Sequence, residues 1–464
     1  MSMICASDLS RAIIARLPFE PNTLQARLIA QLGEFVAAMP YRGVFLLNGY
    51  AGSGKTSIVG ALIRSMADLR RNTVMLAPTG RAAKVAADMA LGKASTIHKR
   101  IYRPESSSPD ARYFLAANKD RDTLFIVDEA SLITDGAPAS SLLFQLLRYV
   151  FSNEGNALLL VGDTAQLPPV GMTTSPAMDP ERLRMLGLRP AVFTLDLPMR
   201  QSENSGILFN ATVMRHAIST PPEAGLPTLF ASRFDDVESI SSADLADRLT
   251  DSWNEVGVDN TIIITRSNWR ANKYNLAIRN MVMYAEEPLQ QGDRIVIAKN
   301  DYYWSKVNKV KTFIANGDMA EVKWVGRTEK MYGRFFTDVE LYFPSMDQHM
   351  GAKIMLRSLN AEGPAIPRSE MERFYAIVMS EQEGTDSERI NAALDDPFYN
   401  ALQAKYGYCV TCHKAQGGQW RHVYIDMAGL PPDGLAATFY RWAYTAMTRA
   451  TERLFFINSS LPVK

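Results

Sequence analysis

Continuous apolar runs, not alternation, mark the first part of the chain. VFLLNG (44–49), TLFIV (123–127) and NALLLVG (156–162) are almost wholly hydrophobic, the pattern of strands buried on both faces of a parallel sheet. SIVGALIRSMADL (57–69) spaces its apolar residues by three and four, which predicts a helix. The last part repeats the scheme. TIIIT (261–265) runs into the helical pattern RSNWRANKYNLAIRNMVM, and HVYIDM (422–427), LAATFYRWAYTAMTRA (435–450) and RLFFIN (453–458) read as strand, helix and strand. Two α/β units are expected. Between them, residues 290–400 change character: GDRIVIAKNDYYWSKVNKVKTF, NGDMAEVKWVGR and RFFTDVELYF alternate at period two between glycine turns, predicting a small β-barrel insertion.

The first unit carries a phosphate site. VFLLNGYAGSGKTS (44–57) places Gly49, Gly52, Ser53, Gly54, Lys55, Thr56 and Ser57 between a strand and a helix, the context a P-loop requires. Glycines let successive N–H groups face one anion, and the helix N-terminus adds partial positive charge. Lys55 neutralises the β and γ phosphates of ATP, and the Thr56 hydroxyl ligates Mg²⁺. The strand TLFIV ends in Asp128 and Glu129. A carboxylate at that edge holds Mg²⁺ and its neighbour orients or deprotonates water, so Asp128 is assigned to the metal and Glu129 to the water. Gln166 follows the next strand, where a glutamine senses the γ-phosphate.

Composition narrows the partners. The 464 residues hold 50 Lys and Arg against 49 Asp and Glu, a formal net charge of +1, so any nucleic acid must be held by local patches. Three cysteines, Cys5, Cys409 and Cys412, are too few for a disulfide framework and fit a reducing compartment. Cys409, Cys412 and His413 spell CxxCH, a pattern of haem attachment or half a zinc site. Neither an export signal nor a second cysteine pair accompanies it, which argues against both. A cytoplasmic protein with no membrane partner is expected.

Seven blocks in order resemble those of superfamily 1 helicases, specifically the RecD-like and Dda-like branch of 5′-to-3′ polarity. They are PNTLQARLI (21–29), the P-loop, LAPTGRAAKVA (76–86) with STIHKRI (95–101), VDEAS with GDTAQLPPV, LPMRQS (197–202), TCHKAQGGQW (411–420) and YTAMTRA (444–450). The resemblance implies that Gln25 reads the adenine, that Arg200 points at the γ-phosphate, and that Arg449 crosses the cleft as an arginine finger. It implies single-strand contacts from Pro78, Thr79, Thr96 and His98 in the first unit and from Thr411, His413 and Lys414 in the second. Gln419 stands where many relatives carry a carboxylate.

The implied architecture is two RecA-like lobes: a helical segment with the Q motif (1–40), lobe 1 (41–200) containing a wedge insertion (102–122), and lobe 2 in two parts (201–289 and 401–464) around an SH3-like insertion (290–400). Tyr113 or Phe114 is the candidate wedge tip. Tyr302, Tyr303 and Trp304, with Lys299, Lys306, Lys309 and Lys311, form either a base-stacking patch or, by preference, barrel core with a solvated lysine face. The implied activity is ATP-dependent, Mg²⁺-dependent unwinding of DNA, with single strands and single-strand/duplex junctions as partners and room for proteins of a repair or replication complex. Other readings are a P-loop ATPase that remodels protein or nucleoprotein and the alpha subunit of an exodeoxyribonuclease complex. No nuclease-like cluster is evident.

Overall fold

The computed structural model describes residues 5–89, 94–104, 113–137, 141–196, 204–220, 226–310, 314–344, 346–429 and 436–464. Helices α1 (Ala6–Ile14) and α2 (Thr23–Ala38) precede strand β1 (Gly43–Gly49), helix α3 (Lys55–Asp68), strand β2 (Asn72–Ala77), helix α4 (Gly80–Met89) and strand β3 (Ala94–Thr96). A short antiparallel pair follows, β4 (Tyr102–Pro104) with β5 (Tyr113–Leu115), then β6 (Thr123–Val127), β7 (Ala157–Gly162) and β8 (Arg189–Leu195). Apart from the short pair, these strands form one parallel sheet in the order β3-β2-β6-β7-β1-β8.

The apolar runs fold as their sequence demands. Phe45 and Leu47 of β1 face a core shared with α1, α2 and α3, and Val44 and Leu46 face a second core built with the helix Leu142–Val150. With both faces covered, there is no solvent side to call for alternation. The second parallel sheet joins β9 (Val237–Ile240), β10 (Thr261–Thr265), β16 (Cys409–Thr411), β17 (Trp420–Asp426) and β18 (Ala450–Ile457) in the order β16-β10-β17-β18-β9. Ile262 and Ile264 pack on one side of it and Ile263 on the other.

A third, antiparallel sheet lies in sequence between β10 and β16. Its strands β11 (Arg294–Ile297), β12 (Met319–Met331), β13 (Arg334–Phe343), β14 (Gln348–Met355) and β15 (Ala404–Tyr406) run in the order β14-β13-β12-β11-β15. The Leu402 N–H donates to the Lys353 carbonyl at 2.7 Å and the Met355 N–H to the Leu402 carbonyl at 3.1 Å. The β14 edge therefore meets the segment entering β15.

Two expectations need correction. Residues 303–307, read as part of an alternating strand, form a helical turn, Tyr303–Val307. Trp304 turns into the core and its Nε1 donates to the Asn400 carbonyl at 2.8 Å, a tertiary contact that overrides local strand preference. Residues Arg368–Ser380 and Asp386–Leu394 are helices, packed through Phe374 and Val378 against Phe336 of β13. The stretch 102–122 contains the β4–β5 pair; Phe114 is exposed, whereas residues 105–112 and the Tyr113 side chain lie outside the described residues. No helix among the described residues is long and apolar enough to cross a membrane.

Candidate nucleotide cleft and strand channel

At the end of β1 the chain turns through Tyr50–Gly54 before α3 begins at Lys55. Gly54 caps α3 at φ 88° and Gly52 sits at φ 72°, left-handed conformations that cost a side-chain residue free energy. A Cβ on Gly52 would also approach Leu208 Cδ1 to 2.9 Å. Lys55 Nζ donates to the Gly49 carbonyl and, at 3.1 Å, to that of Tyr50. Ser53 Oγ is buried without a hydrogen-bond partner.

The carboxylates arrive from the neighbouring strand. Asp128 follows β6, its N–H donating to the Leu76 carbonyl at 3.0 Å, and Glu129 holds a left-handed φ of 51°. Burial, reinforced by the Glu129 charge, pushes the Asp128 carboxyl up to about 7, with Lys55 pulling the other way. A desolvated carboxylate of this kind gains from a nearby cation. Thr56 lines the same cavity of about 460 Å³, as do Lys55, Gln166, Gln419 and Arg449. Gln166 Oε1 is buried there without a partner. The oxygen set of Thr56 and Asp128 fits a hard divalent ion.

The second sheet closes this cleft. The helix Ala437–Met447 presents Tyr444, whose hydroxyl donates to Asp163 Oδ2 at 2.5 Å and accepts the Ala51 N–H of the glycine loop at 2.8 Å. Thr445 Oγ1 accepts the Leu167 N–H, and Gln416 Nε2 donates to the Leu167 carbonyl, both at 2.8 Å. Arg441 donates to the Thr164 carbonyl. Just beyond the helix, Arg449 lies 4.0 Å from Glu129, its own orientation fixed by bonds to the Thr445 and Gly418 carbonyls. Tyr444, Thr445 and Asp163 were not singled out from sequence, although all three stand within quoted blocks; nothing in a sequence says that a phenol and a carboxylate 281 residues apart will meet.

A second cavity, about 630 Å³, opens between the two parallel sheets and the antiparallel one. Thr79 and Arg81 line it from one side, Thr411, His413 and Lys414 from another, and Asn316, Gly317 and Asp318 from the third. Burial lowers the pKa of His413 and of Lys414, and an anion placed there would raise both again. Arg81 stacks 3.7 Å over the Trp420 ring and donates to Met319 Sδ at 2.8 Å. Burial, together with the charges of Arg294 and Arg449, pushes it down to about 10.

Comparison with known proteins bears on both cavities. A family model described as an AAA domain matches residues 34–172, and one described as a UvrD-like helicase C-terminal domain matches residues 406–457. An ATP-dependent RecD2 DNA helicase of Deinococcus radiodurans is 25% identical over 89% of this chain and 47% of its own length. In these matches the chain is similar to superfamily 1 helicases of the RecD-like kind. It spans about half the length of that helicase. An uncharacterized protein, R530, of Acanthamoeba polyphaga mimivirus is 23% identical over 94% of this chain and 99% of its own. The crystal structure of a Bacteroides Pif1 helicase with ADP-AlF3 and single-stranded DNA aligns over 94% of this chain and 92% of that one, at 16% identity and a TM-score of 0.48.

Of the residues singled out from sequence, the structure gathers Gly52, Ser53, Gly54, Lys55, Thr56, Ser57, Asp128, Glu129, Gln166 and Arg449 on one cavity. Gly49 ends β1 and is not among the lining residues; its carbonyl accepts from Lys55 Nζ. Gln25 is not among the lining residues. Its Nε2 donates to the Ser53 carbonyl at 3.0 Å and its Oε1 accepts the Asn22 N–H at 3.0 Å, so both ends of the amide brace the loop and cap α2. Arg200 lies outside the described residues. Thr79, Thr411, His413 and Lys414 share the second cavity. Pro78, Thr96 and His98 do not line it: Pro78 follows Ala77, which ends β2 opposite Thr96 at the end of β3, Thr96 Oγ1 caps the next helix, and the His98 ring stands 5.7 Å from that of Tyr102. The cysteines of the CxxCH pattern are packing groups. Both are buried, Cys412 Sγ lies 3.6 Å from the Trp442 carbonyl, and burial pushes its thiol up to about 12.

Proposed function

We propose that the chain is an ATP-driven translocase that moves 5′-to-3′ on single-stranded DNA and unwinds duplex ahead of it. The observation that carries this reading is the Arg449–Glu129 approach of 4.0 Å across the cleft. It joins a cation of the second sheet to the water-orienting carboxylate of the first, the arrangement of an arginine finger supplied in cis. An ATPase that borrows a neighbour's arginine has no need of it.

In this reading the glycine loop and Lys55 cradle the β and γ phosphates of ATP, Thr56 and Asp128 hold Mg²⁺, and Glu129 orients the attacking water. Mg²⁺ held there would supply positive charge against that of the phosphates. Gln166 offers its free Oε1 to that water or, by turning, its amide to the γ-phosphate, and Arg200 is kept as the second cation. Gln25 braces the loop through the Ser53 carbonyl and the Asn22 N–H, and its second Nε2 proton and remaining Oε1 lone pair are left for the adenine that the resemblance assigns to it. The loop 163–167 is tied to Tyr444, Thr445 and Gln416, so a change at Gln166 reaches the second sheet directly, and Gln416 is three residues from His413. Alternate closing and opening of the cleft would then move the two lobes along the strand.

The strand lies in the second cavity against Thr79, Arg81, Thr411, His413 and Lys414, with Pro78, Thr96 and His98 at its approach. We assign the antiparallel sheet to the SH3-like insertion and the β4–β5 pair to the wedge, with Phe114 as the candidate tip. The chain boundaries proposed are those at residues 40, 200 and 289, and the last, read from sequence at 400, is moved beyond Tyr406 because β15 pairs with β11 in the antiparallel sheet; the insertion also contributes the helices noted above.

The test is unwinding of matched duplexes with either a 5′ or a 3′ single-stranded tail, alongside ATP hydrolysis with and without single-stranded DNA. Unwinding of the 5′-tailed substrate and DNA-stimulated hydrolysis are expected. Unwinding from the 3′ tail alone would overturn the polarity, and hydrolysis indifferent to DNA would overturn the assignment.

A further inference from the structure

The aromatic run at 302–304 splits between two fates. Trp304 goes into the core, leaving Tyr302 and Tyr303 on the wall of a separate cavity of about 290 Å³, with Tyr399 also lining it and Lys299 and Asp301 at the turn. We infer that this pocket on the insertion takes one unstacked base of the DNA strand as it leaves the channel. The inference rests on the single-strand reading above.

Position supports it first. The turn that bears Tyr302 is bonded to the turn that lines the strand channel: Asn316 N–H donates to Asn300 Oδ1 at 2.7 Å, and Asp301 and Ile314 exchange backbone hydrogen bonds at 2.8 and 3.0 Å. Asn316 lines the channel and Asn300 lines the pocket, so a strand crossing this pair of asparagines passes from one cavity to the other.

Chemistry then selects the base over the phosphate. Tyrosine rings offer flat apolar faces, on which bases stack without regard to sequence. Asp301, largely buried, accepts the Trp304 N–H at 2.9 Å and would repel a phosphate drawn into the pocket. Burial pushes its carboxyl up to about 6. Its oxygens are acceptors suited to the exocyclic amine of a base. Lys299 is exposed at the rim, where the phosphate beside an inserted base would lie.

The experiment scans 2-aminopurine, a fluorescent base with an exocyclic amine, through successive positions of a thymidine-rich single strand bound to the full chain. The parent protein is expected to quench a run of positions and one further position beyond it. Tyr302→Ala is expected to release that outlying position alone and to weaken binding about tenfold for strands long enough to reach it, while shorter strands bind parent and variant equally. Lys299→Glu, at an exposed site that spares the fold, should weaken binding of the long strands in the same way. If both variants leave the scan and the long-strand affinity unchanged, the pocket holds no base and the inference is wrong; binding of peptide in place of DNA would show itself in that way. A parent protein that quenches no position overturns the single-strand reading itself, a failure seen without any substitution.

Discussion

The two parallel sheets use one geometry for opposite chemical tasks. The first sheet's strands end at the cleft in a glycine loop, a helix N-terminus and two carboxylates, whereas the second brings Thr411 and Lys414 from the C-terminal end of β16 and just beyond it, but Arg449 from just before β18 and Tyr444 from the helix that precedes it. Under the proposed function the first sheet would receive phosphate and a metal ion, and the second would respond to whether they are present. What separates them is chiefly loop chemistry, since both sheets are covered on both faces by apolar cores, mainly aliphatic on the first and richer in aromatic rings on the second. A fold of this class supplies the cleft; the residues at the strand ends decide which partner it holds.

Substitutions break this division of labour in a graded way. Lys55→Ala removes the first sheet's phosphate contact and should lower ATP turnover about a thousandfold or more, with single-strand binding retained in a gel-shift or anisotropy assay. Arg449→Ala strikes the second sheet's contribution to the same reaction. Turnover is expected to fall about a thousandfold while nucleotide affinity changes much less, so kcat and KM separate the two lesions. Tyr444→Phe deletes the hydroxyl that joins Asp163 to Ala51 across the cleft. Leaving buried Asp163 short of a donor should cost about 1–3 kcal/mol, read as a lower midpoint in denaturant, and DNA should stimulate hydrolysis less.

The smallest effect belongs to the channel histidine. Burial holds His413 below the ordinary histidine value, and a phosphate opposite it would raise that value. Binding then takes up a proton, so the contribution is present at low pH and is lost as pH rises through the raised pKa of the complex. Single-strand affinity should increase by about twofold to threefold between pH 8 and pH 6, and His413→Gln should flatten that slope. An unchanged slope would remove His413 from the phosphate contacts.

The nucleotide cleft was largely legible because its chemistry is local. The eight residues Gly49–Thr56 make a phosphate cradle wherever a strand precedes them and a helix follows, and Asp128 is announced by the strand that ends just before it. The strand channel was legible in part. Thr79, Thr411, His413 and Lys414 converge, but Thr96 spends its hydroxyl on a helix cap and His98 turns toward Tyr102. Trp304 and its neighbours could not be resolved at all from their pattern, because a two-residue period in a five-residue stretch does not distinguish a strand from a helical turn pinned by Asn400.

The amino-acid order by itself thus determined two α/β units, a glycine loop with its lysine, and a pair of carboxylates, since each depends on residues close in the chain. Only the tertiary structure decided that Arg449 would face Glu129, that Tyr444 would bridge Ala51 and Asp163, and that Gln25 would brace the loop rather than line the cleft. It also decided the meaning of CxxCH, whose two thiols are buried as packing while His413 and Lys414 beside them line a channel. These outcomes depend on which distant strand ends are brought together and on how burial sets each group's charge, and neither is written in the spacing of neighbouring residues.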